Sequence, residues 1–343
     1  MYMYMIQSNL IIFITPIYFI TPLITLSLNS WFSMWMMLEL NLMFLIPLLI
    51  HYNKFYKETS MKYYIIQTLS SSIFIFFSSL IQLNNFNFMN NNITEMIIML
   101  MNLSLLIKLG SSPFHSWMIN ILNNLSWYNF LILSIWQKII PLFLLSYSYN
   151  KIIIITSSLF SSMIGCIMGN NQQSLRIILS YSSLIHLSWM MLILIVNELT
   201  LMLYFMLYMN LSMSLILMFK NFNIFYINQL NLLKFNKINF FFILNLFSNC
   251  SFPPLMGFLL KFISLEIMIE FFNPFLMIFI MLMSLLSLMF YIRIIFTLML
   301  LKSISLKMNN FIKINYLHYF INSTKMFFFL FPLNLWMLNL YLY

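Results

Sequence analysis

The stretch LLIKLGSSPFHSWMIN, Leu105 to Asn120, carries the decision about the fold. Lys108 stands inside a run of leucine and isoleucine, where a charge is costly to bury. Gly110 and Pro113 then interrupt the run, and His115 and Trp117 follow. Proline offers no backbone donor and its ring collides with the preceding turn, so a helix does not pass through it without loss. In a soluble protein the segment would be a loop between two helices. In a membrane protein the flanking runs are too short to cross alone, and the segment reads as a broken helix beside a buried, titratable lysine.

Composition chooses between these readings. Of 343 residues, 63% are hydrophobic and 6% charged; a soluble domain carries about 25% charged residues. The chain is therefore expected to be an all-α polytopic membrane protein, because a β-barrel would show short alternating segments instead. The net charge of +10 comes from 16 basic against 6 acidic residues, most of the basic ones in short loops. That pattern sets topology and argues against a nucleic-acid surface. Cys166 and Cys250 lack CxxC or haem-binding spacing, and the four histidines are scattered. No disulfide, metal site or cofactor motif is expected. The start MYMYMIQSNLIIF has no basic region and no small-residue cleavage site, so no cleavable signal is expected.

Alanine and aspartate are absent, and valine occurs once, at Val196. Membrane helices usually welcome alanine where they pack closely. The favoured residues are those of A/T-rich codons, so the bias belongs to the genome and serine is expected to serve as the small packing residue. A Met, Phe or Asn in this chain is correspondingly weak support for any function.

About eleven spans follow, each near the 20 residues needed to cross about 30 Å of hydrocarbon. They are expected at 7–27, 31–50, 63–82, 94–120 (broken), 127–146, 152–169, 175–196, 199–219, 239–260, 274–297 and 323–341, forming a single integral membrane domain over 1–343. Basic residues collect on alternate loops: Lys54, Lys57 and Lys62; then Lys220, Lys234 and Lys237; then Lys302, Lys307 and Lys313. Loop 261–273 holds Glu266 and Glu270, and Lys151 is an exception to the alternation. The positive-inside rule then puts the N-terminus and these basic loops on the negative side, with the C-terminus opposite. Two spans are interrupted: the fourth at Gly110 and Pro113, the ninth at Pro253, Pro254 and Gly257. Paired interruptions far apart in a chain point to an ion or substrate path in a transporter-like fold.

Few ionisable residues fall inside the spans. Those that stand out are Glu39, Lys108 and Lys138, with Lys261 at the end of span nine, His186 in span seven and His115 just past the first break. Burying a lone charge costs about 2.5–3.5 kcal/mol by insertion scales. Snorkelling of the apolar stem could account for Lys261, less well for Lys138, and hardly for the short Glu39. The functional alternative is a proton relay, in which desolvated lysines and a nearby carboxylate exchange protons as their partners change charge. Structural ion pairing remains a third account. His186 reads either as a hydrogen-bonded packing residue or as a relay member, and His115 either as a relay or polar-axis residue or as a group that satisfies the broken backbone.

The segments WMMLELNLMFLIPLL, KLGSSPFHSWM, NLSWYNFLILSIWQKIIPL, NNQQSLRIILSYSSLIHLSWM and PPLMGFLLKF resemble subunit 2 of respiratory complex I in its mitochondrially encoded form, a family of antiporter-like membrane-arm subunits. The resemblance covers most of the chain and keeps motif order, and the codon bias fits an animal organelle genome, such as an insect's. It implies an inverted-repeat fold with discontinuous helices. By motif match it makes Glu39 the carboxylate of a Glu–Lys pair and Lys108 its partner. Lys138 becomes the next axial lysine and Lys261 the lysine of the second broken helix. It implies a subunit of a proton-translocating NADH:ubiquinone reductase that itself binds no cofactor; NADH, FMN, iron–sulfur clusters and ubiquinone would be used elsewhere in the complex. The implied partners are neighbouring antiporter-like and small membrane-arm subunits and lipids such as cardiolipin. The implied location is the mitochondrial inner membrane, with the N-terminus in the matrix and the C-terminus in the intermembrane space. Two departures are mild: GSS stands where many relatives have GAA, and the glycine of a GLSW motif is replaced by Asn124 or Leu125. A free-standing cation/proton antiporter and a purely structural membrane-arm subunit remain the competing readings.

Overall fold

Long runs of leucine, methionine, isoleucine and phenylalanine become helices. The computed structural model describes residues 2–50, 56–84, 91–232, 236–253 and 255–300. The helices are α1 (Tyr2–Leu26), α2 (Trp31–Ile50), α3 (Tyr56–Asn84), α4 (Asn91–Leu109), α5 (Ser116–Asn124), α6 (Trp127–Ser134), α7 (Ile139–Tyr147) and α8 (Lys151–Asn170). They continue as α9 (Leu175–Val196), α10 (Glu198–Phe222), α11 (Asn236–Asn249), α12 (Met256–Met268) and α13 (Pro274–Leu300). Two 3₁₀ turns lie at Trp136–Lys138 and Ile227–Leu232. The start of α10 shows the local chemistry: the Asn197 side chain accepts from the Leu199 N–H at 2.9 Å, and Glu198 complements the helix dipole.

Among the described residues, seven helices are long and apolar enough to cross a membrane. The expected eleven are corrected to these seven for four separate reasons. The described apolar part of the first span, Phe13–Leu26, is short. The fourth span divides into α4 and α5, and the ninth ends at Asn249, with a new helix opening at Met256. Span 323–341 lies outside the described residues. The segment 261–273, expected as a loop, is helical through Met268, so Glu266 lies on α12. Span 127–146, expected to be continuous, is interrupted at Trp136–Lys138. Lys57 and Lys62, expected on a loop, lie in the first turns of α3, where Lys62 pairs with Glu58 at 2.6 Å.

The chain divides into two compact units. The first comprises residues 1–161 and 187–195; in it α3 packs between α2 and α4, α1 lies on α2 and α7, and α4 lies on α7 and on the Trp136–Lys138 turn. The second comprises 162–186 and 196–343; in it α10, α11 and α12 pack on one another and α13 packs on α11. Along α9, every residue from Ile178 to Leu194 is buried.

Serine does take the small-residue role. Ser70, Ser104, Ser183, Ser264 and Ser287 are buried in helices, and each hydroxyl donates to the carbonyl three residues earlier. That local bond removes the cost of burying an unpartnered hydroxyl.

Candidate functional site

The first break ends α4 by a defined backbone motif. Gly110 has φ +65°, its N–H donates to the Ile107 carbonyl at 3.1 Å, and the Ser111 N–H donates to the Leu106 carbonyl at 3.2 Å. This is a Schellman cap, which closes two of the carbonyls a helix end leaves open. A Cβ on Gly110 would also lie 2.7 Å from the Met118 sulfur. Across the break, the Trp117 indole N–H donates to the Ile107 carbonyl at 3.1 Å. His115 Nδ1 lies 3.1 Å from the Pro113 carbonyl.

Lys108, on the last turn of α4, is 5% exposed. It interacts electrostatically with Glu39 of α2, which is half-buried, though no Glu39 oxygen comes within 4.0 Å of the ammonium.

The third interruption has its own cause. Pro141 cannot donate to the Gln137 carbonyl four residues back, and its ring crowds that carbonyl. The helix gives up its α ladder there: the Lys138 N–H turns to the Ile135 carbonyl at 3.2 Å, and the segment Trp136–Lys138 tightens into a 3₁₀ turn. Lys138 sits in this turn and is 2% exposed.

Beside it lies a buried network that the sequence reading did not identify. The Gln137 Oε1 accepts from Tyr18 Oη of α1 and from Asn41 Nδ2 of α2, both at 3.1 Å. Thr21 of α1 lies 3.3 Å from the Asn41 oxygen. The unit 1–161 with 187–195 thus holds Glu39, Lys108 and Lys138 on α2, α4 and a turn packed against α4.

The other unit holds the second break. The residue in the left-handed conformation here is Ser251, at φ +62°. Its N–H donates to the Ser248 carbonyl and that of Phe252 to Phe247, both at 3.1 Å, repeating the Schellman geometry of Gly110. Pro253 lies in the exposed turn that follows, and Pro254 lies outside the described residues. Gly257 has a packing reason: a Cβ there would overlap the Ser248 carbonyl.

Lys261 follows within α12 and is 7% exposed. Its side chain is buried within the unit. His186 bonds through Nδ1 to Tyr204 Oη at 3.0 Å, and its ring lies 4.9 Å from that of Tyr208.

Arg293 of α13 is a charge the sequence reading passed over: its guanidinium donates to the Asn170 carbonyl at 2.7 Å and also to that of Gln172. It closes the C-terminal end of α8, where cations are favoured. Among the described residues no group of three or more His, Cys, Asp or Glu side chains is placed to hold a metal ion.

Helices long and apolar enough to cross a membrane, interrupted near buried lysines, are features of an antiporter-like membrane fold. Comparison with known proteins agrees. The transmembrane family "NADH:quinone oxidoreductase/Mrp antiporter" matches residues 28–287, and the chain belongs to it. NADH-ubiquinone oxidoreductase chain 2 of Anopheles gambiae is 39% identical over 277 residues, covering 79% of this chain and 80% of the relative. The protein of the same description from Aedes aegypti is 39% identical over 275 residues, covering 79% and 80%. Among solved structures, a chain of respiratory complex I from Thermus thermophilus superimposes with a TM-score of 0.72 at 18% identity, over 78% of this chain. This chain spans 66% of the length of that one. At that identity the likeness speaks for the fold.

Proposed function

We propose that the chain is a proton-translocating membrane-arm subunit of respiratory complex I in the mitochondrial inner membrane, where Glu39, Lys108, Lys138 and Lys261 relay protons. The observation that carries this reading is that Lys108, Lys138 and Lys261 are each buried and each within a few residues of a helix interruption. An interruption leaves backbone dipoles directed at a site instead of into a ladder, so a charge or a proton can be held there. The electrostatic interaction of Glu39 with Lys108 supports treating them as a pair in this reading. His186, bonded to Tyr204, supports the polar interior of its unit.

Electron transfer from NADH to ubiquinone belongs, in this reading, to other subunits, and the redox reaction drives proton movement here from a distance. The alternating basic loops support an N-terminus in the matrix and a C-terminus in the intermembrane space. Neighbouring membrane-arm subunits and anionic lipids such as cardiolipin are the expected partners.

The test is Lys138→Met in the assembled complex, with NADH oxidation and proton translocation measured together. Translocation should fall at least as far as electron transfer; a variant that pumps normally sinks the assignment. The family description also covers antiporters. A free-standing antiporter would exchange cations for protons without NADH, and that activity in vesicles holding this chain alone would favour the second reading.

A further inference from the structure

We propose that Gln137, Asn41 and Tyr18 form a positioning clamp that holds the Lys138 turn in fixed relation to the helix of Glu39. The proposal rests on the proton-translocation reading above and adds to it three residues that do not themselves carry protons.

The geometry is specific. The Gln137 amide oxygen has two lone pairs, and two donors take them: the Tyr18 hydroxyl from α1 and the Asn41 amide from α2, each at 3.1 Å. The donors stand 119 and 96 residues away in the chain, so the bonds tie together segments that no local structure joins. Tyr18 is 0%, Asn41 1% and Gln137 8% exposed. Away from water, hydrogen bonds of this kind are costly to leave unmade, so the three side chains have little freedom to rotate apart.

The place of the clamp gives it a task. Pro141 removes the ladder bond at the Gln137 carbonyl, so the turn lacks the backbone restraint that an unbroken helix would have. The Gln137 side chain restores the restraint from outside. Asn41 lies two residues after Glu39 on α2, and the turn packs on α4, whose last turn carries Lys108. A displacement of the turn would therefore change the separation of Lys138 from both other charges. The interaction between charges and any transfer of a proton between them depend on their separation, so an error of about an ångström is enough to slow the relay.

The test uses assembled complex in native membranes carrying Gln137→Leu, Asn41→Leu or both, and separately Tyr18→Phe. Protons translocated per NADH, the pH profile of coupled turnover, the amount of complex on native gels, and NADH oxidation by an acceptor that bypasses the membrane arm are measured. Asn41→Leu should lower translocation about two- to tenfold, the range expected for one lost buried hydrogen bond, and Gln137→Leu, which loses both bonds, at least as much. The pH profile should shift, while the bypass activity stays unchanged. The double variant should be no worse than the poorer single one, since both break the same clamp. Normal translocation and an unshifted pH profile in assembled leucine variants overturn the proposal, and so do additive losses. If the leucine variants fail to assemble, Tyr18→Phe decides: it removes one hydroxyl, and about a twofold loss supports the clamp while no loss overturns it. A Lys138→Met variant made alongside separates the two levels. If it loses pumping while the clamp variants do not, the clamp fails and the relay reading stands; if it pumps normally, the relay reading fails first.

Discussion

Replacing Gly257 by alanine should loosen the second break by a calculable amount. A Cβ at this position would overlap the Ser248 carbonyl, a backbone atom at the end of α11. Neither atom belongs to a flexible side chain, so α12 itself has to move. Overpacking of a close-packed interior costs about 1–3 kcal/mol, and a clash that only backbone movement can relieve belongs at the upper end. Alanine recovers about 1 kcal/mol of helix propensity. The net loss is about 2 kcal/mol, which raises the population of locally opened molecules about 30-fold.

Cys250 reports that opening. It sits at the end of α11, 2% exposed, two residues beyond the carbonyl that Gly257 touches. Cys166, also buried and on α8, is an internal reference. Under conditions where opening and closing are fast, maleimide labelling of Cys250 relative to Cys166, read peptide by peptide by mass spectrometry, should rise about 30-fold in Gly257→Ala. An unchanged ratio would refute the argument that this glycine is a packing requirement.

Two further substitutions probe the breaks. Ser251→Gly removes a serine from the left-handed region, where a side chain costs about 1–2 kcal/mol, and adds glycine's own entropic cost of about 0.5–1 kcal/mol. Labelling of Cys250 should slow by about twofold, and faster labelling would contradict the cap assignment. Trp117→Phe keeps the ring beside Tyr63 but deletes the second donor to the Ile107 carbonyl, which still accepts from the Gly110 N–H. Stability should fall by about 0.5–1.5 kcal/mol, read as faster thermal inactivation of the assembled complex, and an unchanged inactivation rate would mean that the indole bond adds nothing to the cap.

The first break was legible because glycine and proline are strong local signals and Gly110 occupies the left-handed position they suggest. The second was legible in place: Pro253 and Pro254 attract attention, while the residue in the left-handed conformation is Ser251. Serine carries no such signal in a chain that uses it everywhere. The interruption at Trp136–Lys138 was missed because Pro141 lies three residues past Lys138, and a proline's effect falls on the carbonyl four residues before it. Counting back from Pro141 to Gln137 would have found it. The Tyr18–Gln137–Asn41 network has no local signature, since its members are 119 and 96 residues apart and the residue types are cheap in this genome. Arg293 was overlooked inside a span because its partners are backbone carbonyls, which every sequence has and no sequence displays.

The caps at Gly110 and Ser251 have a mechanical consequence. A break in a helix is commonly pictured as a hinge, but these ends are tied off by their own chain through paired backbone bonds. Swinging either joint would strip two carbonyls of their donors, and a buried carbonyl left unpaired costs about 1–3 kcal/mol. Such a joint behaves as a fixed elbow. Whatever moves during turnover then moves at the scale of a lysine rotamer, several ångströms of flexible stem on a rigid frame, and the helices themselves can stay still.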